Sequence, residues 1–213
     1  MKLRKRKIIL VTAGPTREHL DPVRFISNLS SGRLGYEIAR EAHTRGYRVI
    51  LISGPTNITP PQGVRVIHIV SAQELERAVL RCLPTVDVIF MTSAVCDYRP
   101  TRFHRGKIKR HKKRTLMLEA TDDILLRVAA RKTKQVVCGF CLETSKVLIN
   151  ARKKLKKKKL DFIVAHLYRG RKNPFGDNKI SPIVLARSGV MKRLRPRTKK
   201  ELARYVLNVI VGR

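Results

Sequence analysis

The chain is poor in acidic residues, aromatic residues and cysteine, and it contains no tryptophan. Only 15 Asp and Glu stand against 48 Lys and Arg in 213 residues, so the formal net charge is +33. Such a charge attracts polyanions and anionic substrates, but it does not distinguish a nucleic-acid-binding protein from an enzyme that handles phosphates. Aromatic residues make up 5% of the chain. This leaves few side chains for stacking on bases and argues against a dedicated nucleic-acid binder.

Long apolar runs are also lacking. The basic start of the chain is followed by an apolar run over only 8–11, which is too short for a signal peptide. No stretch reaches the roughly 18 apolar residues of a membrane helix. Four cysteines without disulfide-framework spacing fit a reducing compartment. We therefore expect a soluble, cytoplasmic protein with no membrane partner. Cys138 and Cys141 form a CxxC, but their spacing puts them on opposite faces of a strand, which argues against a metal or redox site.

Apolar segments and helical periodicity alternate along most of the chain. Hydrophobic residues make up 43% of the sequence, enough for the core of one domain. Short runs rich in Val and Ile predict buried parallel strands at 8–12, 48–52, 66–70, 86–92, 135–140 and 161–165. Helices are predicted at 32–44, 71–82 and 122–131. The alternation predicts a doubly wound, mainly parallel α/β sheet, followed by a β-hairpin over 180–194 and a closing amphipathic helix over 198–211.

The residues that follow each strand matter most, because a parallel sheet binds ligands beyond the carboxyl ends of its strands. Gly14 is the single glycine of TAGPT at 12–16, so the GxGxxG dinucleotide fingerprint is missing and a nicotinamide-dependent enzyme is disfavoured. An irregular link is predicted over 17–31. Its end, with Ser30, Ser31 and Gly32, suits a helix N-terminus that either binds a phosphate or is simply capped. Asn28 just before it could donate to a charged intermediate without adding charge.

Several later residues suit nucleotide chemistry. Asp97, soon after a strand, could accept from a ribose hydroxyl or a base amino group. Lys107 lies in the basic segment GKIKR, which could close over a phosphoryl group as pyrophosphate leaves. Phe140 could stack on a base, and Lys154 and Lys158, four apart on a predicted helix, could bind a triphosphate from one face. The basic runs at 102–114 and 152–159 fit a solvated face or a mobile loop equally well.

Together these segments resemble one family. TAGPTREHLDPVRFISNLSSGRLG, SGPT, SAVCDYRP, GKIKR, GFCLET and KKLKKKKLDFIVA are similar to phosphopantothenate cysteine ligases of the bacterial type, from about residue 7 to residue 211. The resemblance implies a Rossmann-like fold, a single ligase domain over 1–213 and a homodimer. It implies joining of 4'-phosphopantothenate to cysteine with CTP and Mg²⁺, through an acyl-cytidylate, on the route to coenzyme A. Bacterial relatives usually carry a flavin-dependent decarboxylase half, which leaves open a separate decarboxylase as a partner.

The resemblance also implies roles for individual residues. Asn28 would act when cysteine attacks the acyl-cytidylate, and Arg24 would help to place phosphopantothenate. Ser93 and Ala94 would contact the intermediate through their backbone, and Lys107 would be the lysine of a flexible flap. Nucleotide contacts would come from Met91, Thr92, Ser93, Asp97, Lys107, Asp122, Asp123, Ile124, Leu125, Phe140, Lys154 and Lys158. The resemblance assigns no metal-ligating side chain.

The chain departs from the family pattern around the nucleotide site. Ser93, Cys96, Cys141 and Leu142 replace alanines, Asp122 replaces a common proline, and His166 replaces an asparagine. These changes leave the choice between CTP and ATP open. Two alternatives remain: a basic nucleic-acid-binding protein on an α/β scaffold, and an inactive ligase fold kept as a dimeric partner of a decarboxylase. The charge also predicts non-specific nucleic-acid association that disappears at moderate salt.

Overall fold

The computed structural model describes residues 6–168, 170, 174–176 and 178–212. In chain order the described strands are β1 (Ile8–Ala13), β2 (Arg17–His19), β3 (Phe25–Ser27), β4 (Arg48–Ser53), β5 (Arg65–His68), β6 (Val88–Met91), β7 (Tyr98–Pro100), β8 (Leu118–Ala120), β9 (Val136–Glu143), β10 (Phe162–Leu167), β11 (Ile183–Ala186) and β12 (Met191–Arg193). The helices are α1 (Arg33–Thr44), α2 (Ala72–Cys82), α3 (Ile124–Arg131), α4 (Val147–Lys157) and α5 (Lys199–Ile210), with a 3₁₀ turn at Leu83–Thr85.

Eight of these strands form the central sheet, in the order β12-β11-β10-β9-β6-β1-β4-β5. The six strands from β10 to β5 are parallel, while β11 and β12 add an antiparallel edge. Side chains alternate along each strand, so Ile9 and Val11 pack on the face covered by α1 and α5. Leu10 packs on the opposite face, under α2, α3 and α4. The doubly wound α/β fold is confirmed, because both faces of the parallel strands are buried.

The chain reverses its direction of winding at β1. From β1 it passes through α1 to β4 and β5 on one side, and it then returns through α2 to β6 on the other side of β1. Because α1 and α2 lie on opposite faces, a crevice opens where β1 and β6 end. In open α/β sheets this crevice is where ligands bind.

The C-terminal hairpin and helix are also confirmed. β11 and β12 pair in antiparallel fashion, and α5 begins after Thr198, whose side chain accepts from the Glu201 N–H while the Glu201 carboxylate accepts from the Thr198 N–H. Such a reciprocal cap satisfies two of the N–H groups that a helix leaves unpaired at its start.

The prediction of an irregular link over 17–31 is wrong. β2 and β3 form a hairpin there, and β7 and β8 form a second two-stranded sheet beside it. Three-residue strands with few apolar positions give no periodic signal, so the sequence does not show them. The predicted strand 135–140 extends further, to Glu143, because β10 pairs with it as far as Leu167.

No helix within the described residues is long and apolar enough to cross a membrane.

Candidate functional site

A cavity of about 720 Å³ lies over the carboxyl ends of β6, β9 and β10. This volume is in the range of ligand pockets. The cavity is bounded by the segment before α1 and by the loop after β6, and by the ends of β9 and β10. Its lining residues are 27–35, 92–95, 140–142, Lys154, Val164, His166, Tyr168, Pro174, Phe175, Ile180, Pro182, Lys199 and Leu202.

The start of α1 forms one wall. Gly32 precedes the helix with a φ of 76°, a left-handed conformation that favours glycine. α1 then passes so close to β1 at Gly35 that a Cβ there would lie 2.6 Å from the Ala13 Cβ. Ser30 Oγ accepts from the Gly32 N–H, and Ser31 Oγ donates to the Phe175 carbonyl. Ser30 therefore binds the backbone just before α1, and Ser31 holds Phe175 beside the start of this helix.

Asn28 lies at the rim of the cavity, opposite the loop after β6. Its Nδ2 donates to the Val95 carbonyl at 2.7 Å, and the side chain is otherwise exposed. This hydrogen bond bridges the segment before α1 and the loop 92–95. The structure thus places Asn28 and Ser93 on the same cavity, as the resemblance implies.

The backbone of the loop 92–95 is largely used within the protein. The N–H groups of Thr92 and Ser93 both donate to Thr12 Oγ1, at 3.1 Å each. The Ala94 N–H donates to the Gly14 carbonyl at 2.9 Å, and the Ala94 carbonyl accepts from the Thr16 N–H. The Ala94 N–H is therefore engaged within the protein, and the expected backbone contact of Ser93 and Ala94 with the intermediate stays a prediction. Within the described residues, Ser93 Oγ is buried without a hydrogen-bond partner, so this hydroxyl is available to a ligand.

Phe140 and Lys154 form the opposite wall. Phe140 is half-buried on β9, in register with Val164 of β10. Lys154 Nζ lies 2.7 Å from Glu143 Oε1. Burial disfavours the Lys154 ammonium, but the hydrogen bond with Glu143 and the nearby acidic groups outweigh it, so its pKa is raised. Lys154 is therefore a stable cation beside an aromatic face.

Lys158 follows Lys154 by one turn, but it does not line the cavity. Its Nζ pairs with Asp123 Oδ2 at 3.0 Å, which joins the end of α4 to the start of α3. Both lysines point to carboxylates, so a triphosphate would have to compete with Glu143 and Asp123 for them. This competition was not visible in the sequence spacing.

Other residues that the resemblance assigns to nucleotide binding lie outside the cavity lining, and most of them make contacts within the protein. Asp123 caps α3 by accepting from the Leu126 N–H, and Asp122 pairs with Arg127 at 3.0 Å. Ile124 and Met91 are buried in the core, and Leu125 packs against it. Asp97 is exposed beyond the cavity, although its charge contributes to the raised pKa of Lys154.

Arg24 and Lys107 are also outside the cavity lining. Arg24 Nη2 donates to the Ile108 carbonyl at 2.8 Å, so it contacts the basic loop. Lys107 precedes Ile108 and is exposed. The structure therefore places Arg24 and Lys107 at the same loop, and neither lines the cavity that Asn28 lines.

Two cavity residues, His166 and Lys199, are not among the residues expected to bind. Lys199 is the buried first residue of α5, and its Nζ donates to the Asn178 carbonyl at 2.6 Å. His166 Nδ1 is buried with no hydrogen-bond partner in the described part of the chain. Burial, and to a smaller extent the charge of Lys199, lowers the His166 pKa, and a hydrogen bond with the Ser181 backbone opposes this. In the sequence, His166 was noticeable only because it replaces an asparagine of the family pattern. No pattern in the sequence indicated that Lys199 lines the cavity.

The side chains of the described residues form no group of three or more His, Cys, Asp or Glu that could hold a metal ion. Cys138 belongs to the core under α1 and α5, while Cys141 packs against the opposite core, so the two thiols lie on opposite faces as expected. Burial raises both pKa values, that of Cys141 to about 11. A thiol of this kind is protonated at neutral pH and is a poor nucleophile.

Comparisons with known proteins identify the family of the chain. Residues 4–212 match the family described as the DNA/pantothenate metabolism flavoprotein C-terminal domain. The chain belongs to this family. It is 36% identical over 210 residues to the coenzyme A biosynthesis bifunctional protein CoaBC of Borreliella burgdorferi, covering 97% of the chain and 53% of that protein. The Bacillus subtilis protein of the same name is 37% identical, with coverage of 97% and 51%. The chain thus spans about half the length of the curated relatives it matches.

Several solved structures have the same fold. A crystal structure of the C-terminal domain of CoaBC is 41% identical, with a TM-score of 0.83 and coverage of 96% of this chain and 93% of that one. A DNA/pantothenate metabolism flavoprotein from Streptococcus pneumoniae is 24% identical, with a TM-score of 0.84 and coverage of 98% and 99%. A Cab2 variant in complex with phosphopantothenate-cysteine is 18% identical, with a TM-score of 0.77 and coverage of 96% and 86%. The last two likenesses concern the fold alone.

Proposed function

We propose that the protein is a ligase of coenzyme A biosynthesis that joins 4'-phosphopantothenate to L-cysteine, with CTP converted to CMP and pyrophosphate. The cavity at the switch point carries this proposal, because it combines the Asn28 carboxamide, the Ser93 hydroxyl and the Lys154 ammonium beside Phe140. Membership of a family whose relatives are named for coenzyme A biosynthesis supports it. The structure of a distant relative with phosphopantothenate-cysteine agrees with the proposed product.

In the first step a carboxylate oxygen of phosphopantothenate attacks the α-phosphorus of CTP. The bond from this phosphorus to the pyrophosphate oxygen breaks, and pyrophosphate leaves with the electron pair. The ring of Phe140 stacks on the cytosine base, and the Lys154 ammonium, which lines the same cavity, stabilises the phosphates. An Mg²⁺ ion bound to the triphosphate would neutralise part of its charge. It would take its ligands from phosphate and water, because no carboxylate lines the described cavity.

In the second step the amine of cysteine attacks the acyl carbon of the acyl-cytidylate. The bond from this carbon to the CMP oxygen breaks, CMP leaves, and the amine loses a proton. Asn28 is exposed at the rim of the cavity, and its carboxamide makes a hydrogen bond to the Val95 carbonyl. Because the side chain is exposed, the carboxamide can leave this bond and turn towards the reacting acyl group. Catalysis consists of alignment and electrostatic stabilisation, without a covalent enzyme intermediate.

Arg24 and Lys107 take part in this proposal only if they come to the cavity from elsewhere. One source is movement of the basic loop, and the other is a second copy of the chain in a homodimer. The two small sheets and the loops that join their strands expose several large apolar side chains, namely Val23, Phe25, Tyr98, Phe103 and Met117. Exposed apolar side chains become an interaction surface where they form a contiguous patch. Sedimentation of the wild type and of Met117→Lys tests the dimer, which we expect the charge to weaken.

The test of the function is pyrophosphate release by the purified chain with phosphopantothenate, cysteine, Mg²⁺ and either CTP or ATP. We expect release that depends on phosphopantothenate, and a coupled product that depends on cysteine. The ratio of the two nucleotide activities decides the preference that the departures at the site leave open. Absence of phosphopantothenate-dependent release with both nucleotides would contradict the ligase and favour the inactive partner.

A further inference from the structure

A buried carboxylate, Asp21, is not used by the proposed chemistry. It lies in the turn between β2 and β3 and is 0% exposed. Its Oδ1 accepts from the N–H groups of Val23 and Arg24, at 2.8 Å each. Its Oδ2 accepts from the N–H of Ile108 at 3.0 Å. One oxygen therefore closes the local turn, while the other binds a loop that is 87 residues away in sequence.

That loop is the segment 101–117 between β7 and β8, which we call the flap. It contains eight Lys and Arg and no Asp or Glu. Ile108 is 8% exposed, whereas the rest of the flap is exposed except for the partly buried His104. Like charges spread a loop apart unless something attaches it to the protein. Ile108 is thus the buried point at which the flap is held.

Both peptide groups of Ile108 are bound by the β2–β3 turn. Asp21 accepts its N–H, and Arg24 Nη2 donates to its carbonyl at 2.8 Å. Arg24 Nε lies 3.8 Å from Asp21 Oδ2, so the two side chains also attract each other. A second bond joins the His104 N–H to the Leu20 carbonyl at 2.9 Å.

We propose that Asp21 is a positioning residue that holds the flap through Ile108 and so determines where the neighbouring Lys107 lies during nucleotide activation. This inference rests on the proposed function for the role of Lys107 and on its homodimer route, in which the held flap of one copy brings Lys107 to the cavity of the other. The hydrogen bond from Ile108, followed by those from Val23 and Arg24, lowers the pKa of Asp21 despite its burial. The carboxylate therefore stays ionised at neutral pH and matches the positive charge of the flap.

The substitution Asp21→Asn separates the role of Oδ1 in the turn from the role of Oδ2 at the flap. An asparagine Oδ1 still accepts from Val23 and Arg24, so the turn is kept. Its NH₂ group then faces the Ile108 N–H and the Arg24 guanidinium, which are both donors, so the bond to the flap is lost. Glu119→Gln is a matched control: Glu119 lies on β8 next to the flap, but it pairs with Arg99 at 2.8 Å and is exposed.

The first readout is limited trypsin digestion, which does not depend on ligase activity of the protein. We expect cleavage after Lys107 and Lys109 to be about tenfold faster in Asp21→Asn, as fits the loss of one charged hydrogen bond. Cleavage elsewhere and the unfolding temperature should match those of Glu119→Gln. An unchanged rate at the flap would overturn the proposal. Faster cleavage along the whole chain with a lower unfolding temperature would also overturn it, because Asp21 would then be a general structural residue.

The second readout tests the connection to Lys107. We expect Asp21→Asn to lower kcat for pyrophosphate release about tenfold and to leave the KM for cysteine unchanged. In a Lys107→Gln background the same substitution should have little further effect, because the side chain to be positioned is already gone. An equal loss in both backgrounds would overturn the proposal. If the wild type releases no pyrophosphate, the proposed function fails, while the digestion still decides whether Asp21 holds the flap.

Discussion

Asn28→Asp should separate the two steps of the proposed reaction. The change is nearly isosteric, yet it replaces the Nδ2 donor, 2.7 Å from the Val95 carbonyl, with a negatively charged oxygen. Two acceptors at that distance repel each other, so the side chain turns away from the loop 92–95 and its bridge to that loop is lost. The new charge also lies where an anionic intermediate forms.

The magnitude follows from the contact that is lost. Removing one donor that stabilises a developing anion lowers a rate by roughly 10²–10³, or about 2.7–4 kcal/mol. We expect capture of the acyl-cytidylate by cysteine to fall by this factor. Pyrophosphate release should change by less than about tenfold, because Lys154 and Phe140 form the opposite wall and do not contact Asn28.

Rapid quench under single-turnover conditions, with labelled CTP, measures both steps. In Asn28→Asp, pyrophosphate should appear in a burst, while CMP and the coupled product follow slowly. Asn208→Asp is a suitable control, because Asn208 lies outside the cavity lining and its Oδ1 accepts from Arg45 at the C-terminal end of α1, a bond that an aspartate keeps. If Asn28→Asp instead abolished pyrophosphate release, Asn28 would act in nucleotide activation and the reasoning would be refuted.

Three further predictions test the packing, the titration and the charge. Gly35→Ala should cost about 1–3 kcal/mol of unfolding free energy and lower the unfolding temperature by roughly 2–10 °C, because its Cβ would lie 3.0 Å from the Thr12 carbonyl oxygen. Gly106→Ala, which meets open space, should not have this effect. His166 has a lowered pKa in the folded state, so the unfolded chain binds protons more readily and stability should fall as the pH drops below about 6.5. Thermal unfolding of His166→Asn should show a smaller loss, and an equal loss would contradict this assignment. With a net charge of +33, the protein should bind RNA of any sequence at low salt and release it at moderate salt; binding that persists in high salt would revive the nucleic-acid alternative.

The long elements of the fold were predictable because their local patterns agree with their tertiary environment. Val and Ile fill the strands on either side of the switch point, where both faces are buried, so continuous apolar runs identify them. α5 begins and ends where the pattern predicts, since Thr198 and Glu201 form a local cap. The two small hairpins were missed, because strands of three residues are stabilised by neighbouring chain segments rather than by their own sequence.

The site was predictable only in part. Asn28, Ser93, Phe140 and Lys154 meet at one cavity because they follow or flank strands whose carboxyl ends lie together. Asp123 does not join them, because capping α3 and pairing with Lys158 already occupy its carboxylate. Arg24 and Lys107 were assigned to the site by resemblance, but the structure places both at the flap.

The sequence by itself determined the family, the α/β class and the excess of positive charge, since each depends on residue identity or on local periodicity. Only the tertiary structure decided which charges have partners. Lys199 reaches the cavity because α5 packs on α1, and Asp21 meets Ile108 because two hairpins lie side by side. Contacts between residues far apart in the chain depend on how whole elements pack, and one sequence without its fold carries no local record of them.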